Sequence, residues 1–237
     1  MNISQKEFLE KDKELMDELE SLGRKEEGVF IDGAFSPVEY WNTNPKILWI
    51  LKEAYGDPFS YPKLFIEDYE KFYSDLVSGV PRNTWGPICI ISDCILNGFR
   101  EYNGTTDILD KKNQFKKSLS KFALININKD SDDTGGRSLN RNIEDAKKYY
   151  DNFLFKQIEH LAPDIIICGN TFQFLREHYN NPEVIKYVEG VHYVDHYWIN
   201  NRLYLDPYHP GYTAYGKIDT VMFINDIVRT VKDCYPH

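Results

Sequence analysis

Short apolar runs recur along the chain and alternate with longer amphipathic stretches. The first run follows Pro45 and covers residues 47–51 with only Ile, Leu and Trp. Such a run, bounded by proline or glycine, is typical of a strand buried on both faces of a sheet. Three similar runs cover residues 122–125, 164–168 and 203–205. The pattern therefore predicts a central sheet of about four strands.

Amphipathic segments lie before, between and after these runs. Residues 4–23 place apolar side chains at helical spacing among Glu and Lys, which predicts a surface helix. Residues 143–161 predict a helix of about five turns between the second and third strands. Residues 171–178 and 221–231 predict two more helices. Strands that alternate with helices favour parallel pairing, so the predicted fold is a three-layer α/β/α arrangement with a mostly parallel sheet.

A hairpin is predicted to lead into the fourth strand. Residues 193–199 and 203–205 flank Asn200 and Asn201, and asparagine tolerates the left-handed conformation of a tight hairpin turn. No repeat, low-complexity tract or linker interrupts the sequence. We therefore expect a single domain over residues 1–237, with residues 1–28 as an N-terminal helical extension.

Composition narrows the class of protein. The chain has 237 residues, of which 42% are hydrophobic and 27% charged, which predicts a folded core. The longest apolar run, residues 165–169, is far shorter than the roughly 20 residues of a membrane-spanning helix. The first residues turn acidic without the apolar stretch of a secretory signal, so we expect a cytoplasmic protein with no membrane partner.

The net charge of −9 lacks the basic footprint of a dedicated nucleic-acid binder. Residues 111–148 nevertheless hold ten bases against five acids, which allows a local positive surface. Four cysteines have a spacing that fits neither zinc nor iron–sulfur ligation, so they predict no metal centre. These are Cys89, Cys94, Cys168 and Cys234. No cofactor is expected.

A metal-dependent enzyme is one hypothesis for the function, and the sequence favours it little. It would use His192 and His196 with Asp195, Asp206 or His209. The surrounding residues favour a strand, in which a spacing of four places the two imidazoles about 13 Å apart at roughly 3.3 Å per residue. That separation is too long for one metal ion.

Polar segments follow all four predicted strands. They cover residues 52–58, 126–129, 169–171 and 206–212. In an open parallel sheet, ligands bind at the carboxyl ends of the strands. Because these segments bring a carboxylate, amides and an imidazole to one edge, we expect a functional site there.

The same segments carry a family resemblance. The motifs are Lys-Glu-Ala-Tyr-Gly at 52–56, Ala-Leu-Ile-Asn at 123–126, Pro-Asp-Ile-Ile-Ile-Cys-Gly at 163–169 and Tyr-His-Pro-Gly at 208–211. In this order they resemble the uracil-DNA glycosylase superfamily, closest to its iron–sulfur (family 4) branch. Residues 78–86 resemble the segment that supplies the family's stacking aromatic. The family's cluster cysteines are absent, so no iron–sulfur centre is expected.

Several positions depart from the family pattern. Lys52 stands where the family has a glycine, and Tyr55 stands where it has a proline. Arg82 occupies the position of the stacking phenylalanine, and Gly211 replaces the serine of the His-Pro-Ser loop.

The resemblance implies hydrolysis of the N-glycosidic bond of uracil or a related base in DNA. That reaction passes through an oxocarbenium-like sugar while negative charge builds on the departing base. Glu53 is the candidate for the anion that faces the sugar, and Asp57 and Asp206 are the reserve candidates for the same role. His209 fits the donor that stabilises the base anion, because a neutral imidazole N–H on a proline-flanked loop can point at a carbonyl.

The same resemblance implies contacts with the substrate. Asn126 carries a donor and an acceptor on one side chain and can read the edge of an extruded base. Candidates for stacking or close approach to the base are Tyr55, Gly56, Trp85 and Tyr208. Candidates for flanking phosphates are Lys129, Arg137 and Arg141. The open alternative is a non-catalytic module that binds a nucleobase, nucleoside or nucleotide in the same crevice.

Overall fold

The computed structural model describes residues 3–24, 28–54, 57–77, 82–105, 108–130, 140–179, 194–215 and 218–235. Six strands form one sheet in these ranges: β1 (Gly33–Ala34), β2 (Ile47–Leu51), β3 (Phe122–Asn126), β4 (Ile165–Cys168), β5 (His196–Ile199) and β6 (Arg202–Leu205). Their order across the sheet is β1-β3-β2-β4-β6-β5.

The four predicted strands are the parallel centre of this sheet. Strand β2 pairs in parallel with β3 on one side and with β4 on the other, and β4 pairs in parallel with β6. Strands β1 and β5 add antiparallel edges. The mostly parallel α/β sheet is confirmed, with six strands instead of about four. Strand β1 has two residues, too few to show any periodicity in the sequence.

The predicted hairpin joins β5 to β6. Asn200 and Asn201 form its turn with φ of 51° and 61°, which is the left-handed conformation that asparagine tolerates. Trp198 pairs with Leu203 across the ladder, so the hairpin prediction is confirmed.

Nine helices surround the sheet within the described ranges. They are α1 (Gln5–Ser21), α2 (Pro37–Trp41), α3 (Tyr61–Glu67), α4 (Tyr69–Val77), α5 (Arg82–Leu96), α6 (Lys112–Leu119), α7 (Asn140–Leu161), α8 (Phe172–Leu175) and α9 (Thr220–Cys234). Helices α1, α7 and α9 match predicted segments, and α8 is shorter than predicted because its chain tightens into a 3-10 turn at Arg176–Tyr179. Across the same ranges, no helix combines the length and apolar character needed to cross a membrane.

Helices cover both faces of the sheet. Along β2, Ile47, Trp49 and Leu51 belong to a buried cluster with side chains of α3, α4, α5, α6 and α9. Leu48 and Ile50 belong to a second cluster with side chains of α1, α2, α7 and α8. Successive strand residues point to opposite faces, so a fully buried strand needs a helical layer on each side.

Helix α1 packs against α7. Ser4 and Glu7 form a capping box at its first turn, which satisfies backbone N–H groups that have no partner inside the helix. The ring of Phe8 stacks on the ring of His160 at 4.5 Å between centroids. Leu15 and Leu19 are buried with residues of α7, so the segment predicted as an extension contributes to the packed core.

One buried hydrogen bond ties β2 to α5. The Trp49 Nε1–H donates to Ser92 Oγ at 3.0 Å, and both residues are fully buried. We expect Ser92→Ala to lower the free energy of unfolding by about 1–3 kcal/mol, because the indole N–H loses its acceptor. Urea unfolding measures the change, and Ser92→Ala combined with Trp49→Phe tests its origin. If the two substitutions are additive, the hydrogen bond is not the cause.

Candidate functional site

The segments after β2 and β3 stay paired beyond the ends of the strands. The Ile127 N–H donates to the Leu51 carbonyl at 2.9 Å, and the Asn128 N–H donates to the Lys52 carbonyl at 2.8 Å. This pairing places the residues that follow β2 beside those that follow β3.

Glu53 is buried and held by an amide. The Nδ2 group of Asn128 donates to Glu53 Oε2 at 3.2 Å. The backbone N–H of Asp130 donates to Asn128 Oδ1 at 3.1 Å, so both ends of the amide are oriented. Sequence reasoning did not assign Asn128 to the site, although its place two residues after Asn126 puts it on the same strand end. The reserve carboxylate Asp57 is exposed.

His209 has a defined tautomer. The Gly211 N–H donates to His209 Nδ1 at 3.1 Å, so in the neutral ring the proton sits on Nε2. Burial, and then the positive charge of Lys52, lower the pKa of His209 to about 4. At neutral pH the ring therefore offers an uncharged Nε2–H donor.

The His209 loop lies close against the end of β4. A Cβ added to Gly169 would lie 2.8 Å from Leu51 Cδ2 and 3.3 Å from Pro210 Cδ, so this glycine permits the close approach. The Asn170 N–H donates to the Pro207 carbonyl at 2.8 Å. These contacts join the ends of β2, β4 and β6, as the sequence predicts.

Asp206 is a half-buried carboxyl in the same loop. Its Oδ1 accepts from the backbone N–H groups of Thr171 and Phe172, each at 3.2 Å. Burial raises the pKa of Asp206 to about 6, although these two N–H groups act to lower it. Lys52 acts on this group as well, lowering its pKa, so one ammonium influences both Asp206 and His209.

Asn126 is buried at the end of β3 against Asp32. Its backbone N–H and its side-chain Nδ2 donate to Asp32 Oδ2 at 2.7 and 3.4 Å. Both contacts use nitrogen atoms of Asn126, so neither occupies its side-chain oxygen Oδ1. Asp32 did not emerge from sequence reasoning, because it follows no recognisable strand in the sequence.

Lys129 corrects a prediction. Its side chain is 0% exposed, and its Nζ lies 2.7 Å from Asp32 Oδ1 and 2.7 Å from Gln157 Oε1. Burial lowers the pKa of Lys129, and the carboxylate of Asp32 acts in the opposite direction. An ammonium enclosed in this way cannot reach a phosphate group, so the predicted phosphate contact of Lys129 is wrong.

Trp85 corrects a second prediction. It is 6% exposed, and its ring packs edge-on against Phe35 at 5.7 Å and lies 5.9 Å from Tyr61. It is a core residue of α5 and does not offer a face for stacking on a base. Tyr208 is 61% exposed, with its ring 5.9 Å from that of Tyr212, which leaves it accessible for stacking.

The other predicted contacts divide into two groups. Arg141 is described and exposed in the first turn of α7, compatible with its predicted role. Tyr55, Gly56 and Arg137 lie outside the described residues.

The metal alternative finds no support in the described ranges. Among those residues, no group of three or more His, Cys, Asp or Glu side chains is placed to hold a metal ion. His196 is buried with Nδ1 3.1 Å from the Val194 carbonyl, and His192 lies outside the described residues.

Comparison of the chain with models of protein families and with curated proteins finds no match. The relation to the uracil-DNA glycosylase superfamily therefore stays a prediction from the strand-end motifs. What the structure contributes is the placement of Asn126 at the end of β3 and of Glu53 and His209 on the segments that follow β2 and β6.

The Lys129–Asp32 pair gives a test of the buried network. We expect Lys129→Met to lower the free energy of unfolding by about 3–5 kcal/mol, because it leaves a buried carboxylate without its partner. Lys129→Met with Asp32→Asn should restore most of this loss, since no isolated charge remains. Chemical unfolding measures both, with exposed Lys117→Met as the matched control. A loss no larger than that of the control contradicts the buried pair.

The two titrating groups of the His209 loop should oppose each other in stability. Burial lowers the pKa of His209 from 6.5 to about 4, so its contribution is full above pH 6.5 and is lost as pH falls through 4. Burial raises the pKa of Asp206 from 3.8 to about 6, so its contribution is present below pH 3.8 and is lost as pH rises through 6.

Between pH 4 and pH 6 the two contributions to stability change in opposite directions. A substitution that removes one titrating group should therefore leave only the pH dependence of the other. We expect His209→Asn to make stability fall more steeply with rising pH, and Asp206→Asn to make it rise. Each slope should differ from wild type by up to about 1.4 kcal/mol per pH unit. Urea unfolding at a series of pH values from 4 to 6 measures these slopes. Equal slopes in all three proteins would contradict the assignment.

Proposed function

We propose that this protein hydrolyses the N-glycosidic bond of uracil or a related base in DNA. The observation that carries the proposal is the state of His209: half-buried, uncharged at neutral pH and held by the Gly211 N–H with its proton on Nε2. Such a preorganised donor stabilises the negative charge that develops on the departing base.

Lys52 supports the same role. Its positive charge lowers the pKa of His209, and its Nζ donates to Asn140 Oδ1 at 3.2 Å. A cation that disfavours a second positive charge on the imidazole also favours an anion formed nearby. The lysine that replaces the family's glycine therefore fits the chemistry of base departure.

Glu53 supplies the other half of the reaction. When the bond from C1′ to the base breaks, its electron pair leaves with the base and the sugar becomes positively charged. A carboxylate on that side stabilises the sugar and accepts a proton from the water that forms the new C1′–O bond. Asn128 holds Glu53 Oε2 in place for this role.

Recognition of the base falls to Asn126 and Tyr208. The side-chain oxygen of Asn126 is not used by Asp32, and the exposed ring of Tyr208 lies in the tetrapeptide that contains His209. Stacking of a base on an aromatic ring contributes about 1–3 kcal/mol.

Binding without hydrolysis is the second candidate function. Two observations favour it: Lys129 is buried, so one contact predicted for a DNA phosphate is lost, and the net charge is −9. In that case the ligand is a free nucleobase or nucleoside, which needs no phosphate contacts.

Release of uracil from a labelled oligonucleotide separates the two. We expect His209→Ala to reduce the rate of base release about 10²- to 10³-fold, the usual effect of losing one preorganised donor. Glu53→Gln should also reduce it, whereas Glu101→Gln, an exposed glutamate paired with Arg229, should not. Circular dichroism confirms that each variant is folded.

Three outcomes decide between the candidates. Release that depends on His209 and Glu53 supports hydrolysis. Binding of uracil or uridine by calorimetry without any release supports the binding module. Neither binding nor release overturns both functions.

A further inference from the structure

We propose that a cleft beside the last turns of α5 binds a small organic phosphate monoester. The cleft has a volume of about 230 Å³ and lies between α5, residues 100–103 and the start of α6. A cavity of about 150 Å³ can hold benzene, so this cleft has room for a small organic body together with its phosphate group. This binding site is separate from the strand ends and does not depend on the proposed function.

Helix α5 separates the cleft from the His209 loop. A Cβ added to Gly211 would lie 3.2 Å from Thr84 Oγ1, which places the first turn of α5 beside that loop. Asp93, which lines the cleft, comes nine residues after Thr84. At 1.5 Å per residue this is about 14 Å along the helix. A molecule in the cleft therefore contacts the opposite end of α5.

A left-handed turn after α5 brings Arg100 to the cleft. Gly98 and Phe99 have φ of 84° and 56°, a conformation that is unfavourable for phenylalanine and persists only where the surrounding structure holds it. The Arg100 N–H then donates to the Cys94 carbonyl at 3.2 Å, and Arg100 Nη2 donates to Asp93 Oδ2. The turn thus returns the chain to α5 and fixes the guanidinium at the cleft.

Helix α9 holds the same wall from its other side. The Tyr102 N–H donates to Asn225 Oδ1 at 2.8 Å, and Asn225 Nδ2 donates to the Tyr102 carbonyl at 3.0 Å. Glu101 Oε1 accepts from Arg229 Nε at 2.8 Å. Because both helices anchor residues 100–102, the wall is formed before any ligand binds.

The charges that line the cleft leave one cation unbalanced. The carboxylates of Asp93 and Glu101 line it, and each is paired with an arginine, Arg100 and Arg229 respectively. Lys111 lines it as well, and its ammonium pairs with no side chain among the residues that the structure describes. The excess positive charge favours an anionic ligand.

The cleft is also rich in hydrogen-bond donors. Asp93 occupies one of the three guanidinium nitrogens of Arg100, so further N–H groups of this side chain stay available. Asn103 Oδ1 accepts from the N–H and the Oγ1 of Thr105 at 3.1 and 2.6 Å, and neither contact uses Nδ2. Lys111 adds an ammonium with three donors. A ligand with several acceptor oxygens fits this set.

A phosphate monoester matches these donors better than a carboxylate. It carries a charge of about −1.5 to −2 at pH 7 and three acceptor oxygens, enough to bind Arg100, Lys111 and an amide together. A carboxylate has two oxygens, which a single guanidinium often occupies. Ile90 and Ile108 give the cleft an apolar wall that can contact the organic body.

Binding of glycerol phosphate, measured by calorimetry, tests the proposal, with glycerol and glycerate as the uncharged and the carboxylate counterparts. We expect wild type to bind glycerol phosphate, to bind glycerate more weakly and not to bind glycerol. Lys111→Met should weaken the binding of glycerol phosphate about tenfold or more, because a charge-assisted hydrogen bond is lost. The side chain of Lys111 makes no capping hydrogen bond, so this substitution leaves the start of α6 intact.

Lys117→Met is the matched control, since Lys117 is an exposed lysine of the same helix that does not line the cleft. Its affinity should equal that of wild type. Failure of wild type to bind either glycerol phosphate or inorganic phosphate at millimolar concentrations overturns the proposal. Equal affinity for glycerate, or an affinity of Lys111→Met equal to that of wild type, overturns it as well.

Backbone amide NMR of wild type locates the bound phosphate without any variant. We expect glycerol phosphate to shift the signals of residues 93–103 and 111–114. Shifts confined to the segments that follow β2, β3 and β6 would place the anion at the strand ends and overturn the cleft. His209→Ala should keep the affinity of wild type for glycerol phosphate, so a failure of base release and a failure of this binding site are told apart.

Discussion

The parallel pairing of β2 with both β3 and β4 is the constraint on which the candidate site depends. Strand β2 is buried along its whole length and lies in the middle of the sheet. Its register with β3 and β4 therefore determines where each of these strands ends relative to β2. Backbone pairing then continues past the strand to Lys52, which carries Glu53 beside Asn128. Packing of apolar side chains thus determines where the polar chemistry lies.

Most of the framework was predictable, because fully buried strands and amphipathic helices leave strong patterns in the sequence. The runs at 47–51 and 122–125 appear as β2 and β3 with nearly the same bounds. The region from α3 to α6 gave no clear pattern, since α3 and α4 are separated only by Asp68 and α5 contains Pro87. Local sequence does not reveal which short helices tertiary packing will stabilise.

The site was predictable as a set of strand ends but not in its individual contacts. Lys129 follows Asn126 closely and is of a residue type that often contacts phosphate. It is nevertheless paired with Asp32, which lies almost a hundred positions earlier in the sequence. Trp85 likewise meets Phe35 from a distant segment. The partner that decides between an exposed and a buried role is remote in the sequence, so the pattern around each residue cannot supply it. Asp32, the shared partner, lies beside a strand of two residues.

Burial reverses the usual order of the pKa values of Asp206 and His209. With ordinary pKa values of 3.8 and 6.5, Asp206 and His209 would both be charged between these values. The pKa of Asp206 is instead raised to about 6 and that of His209 lowered to about 4, so both are neutral in most of that range. As pH rises through about 6, Asp206 ionises and interacts with the positive charge of Lys52, while His209 stays neutral. Environments that separate the pKa values of neighbouring groups assign them different roles. Here the separation keeps the imidazole a neutral donor wherever Asp206 is charged, which is the state on which the proposed stabilisation of a departing base rests.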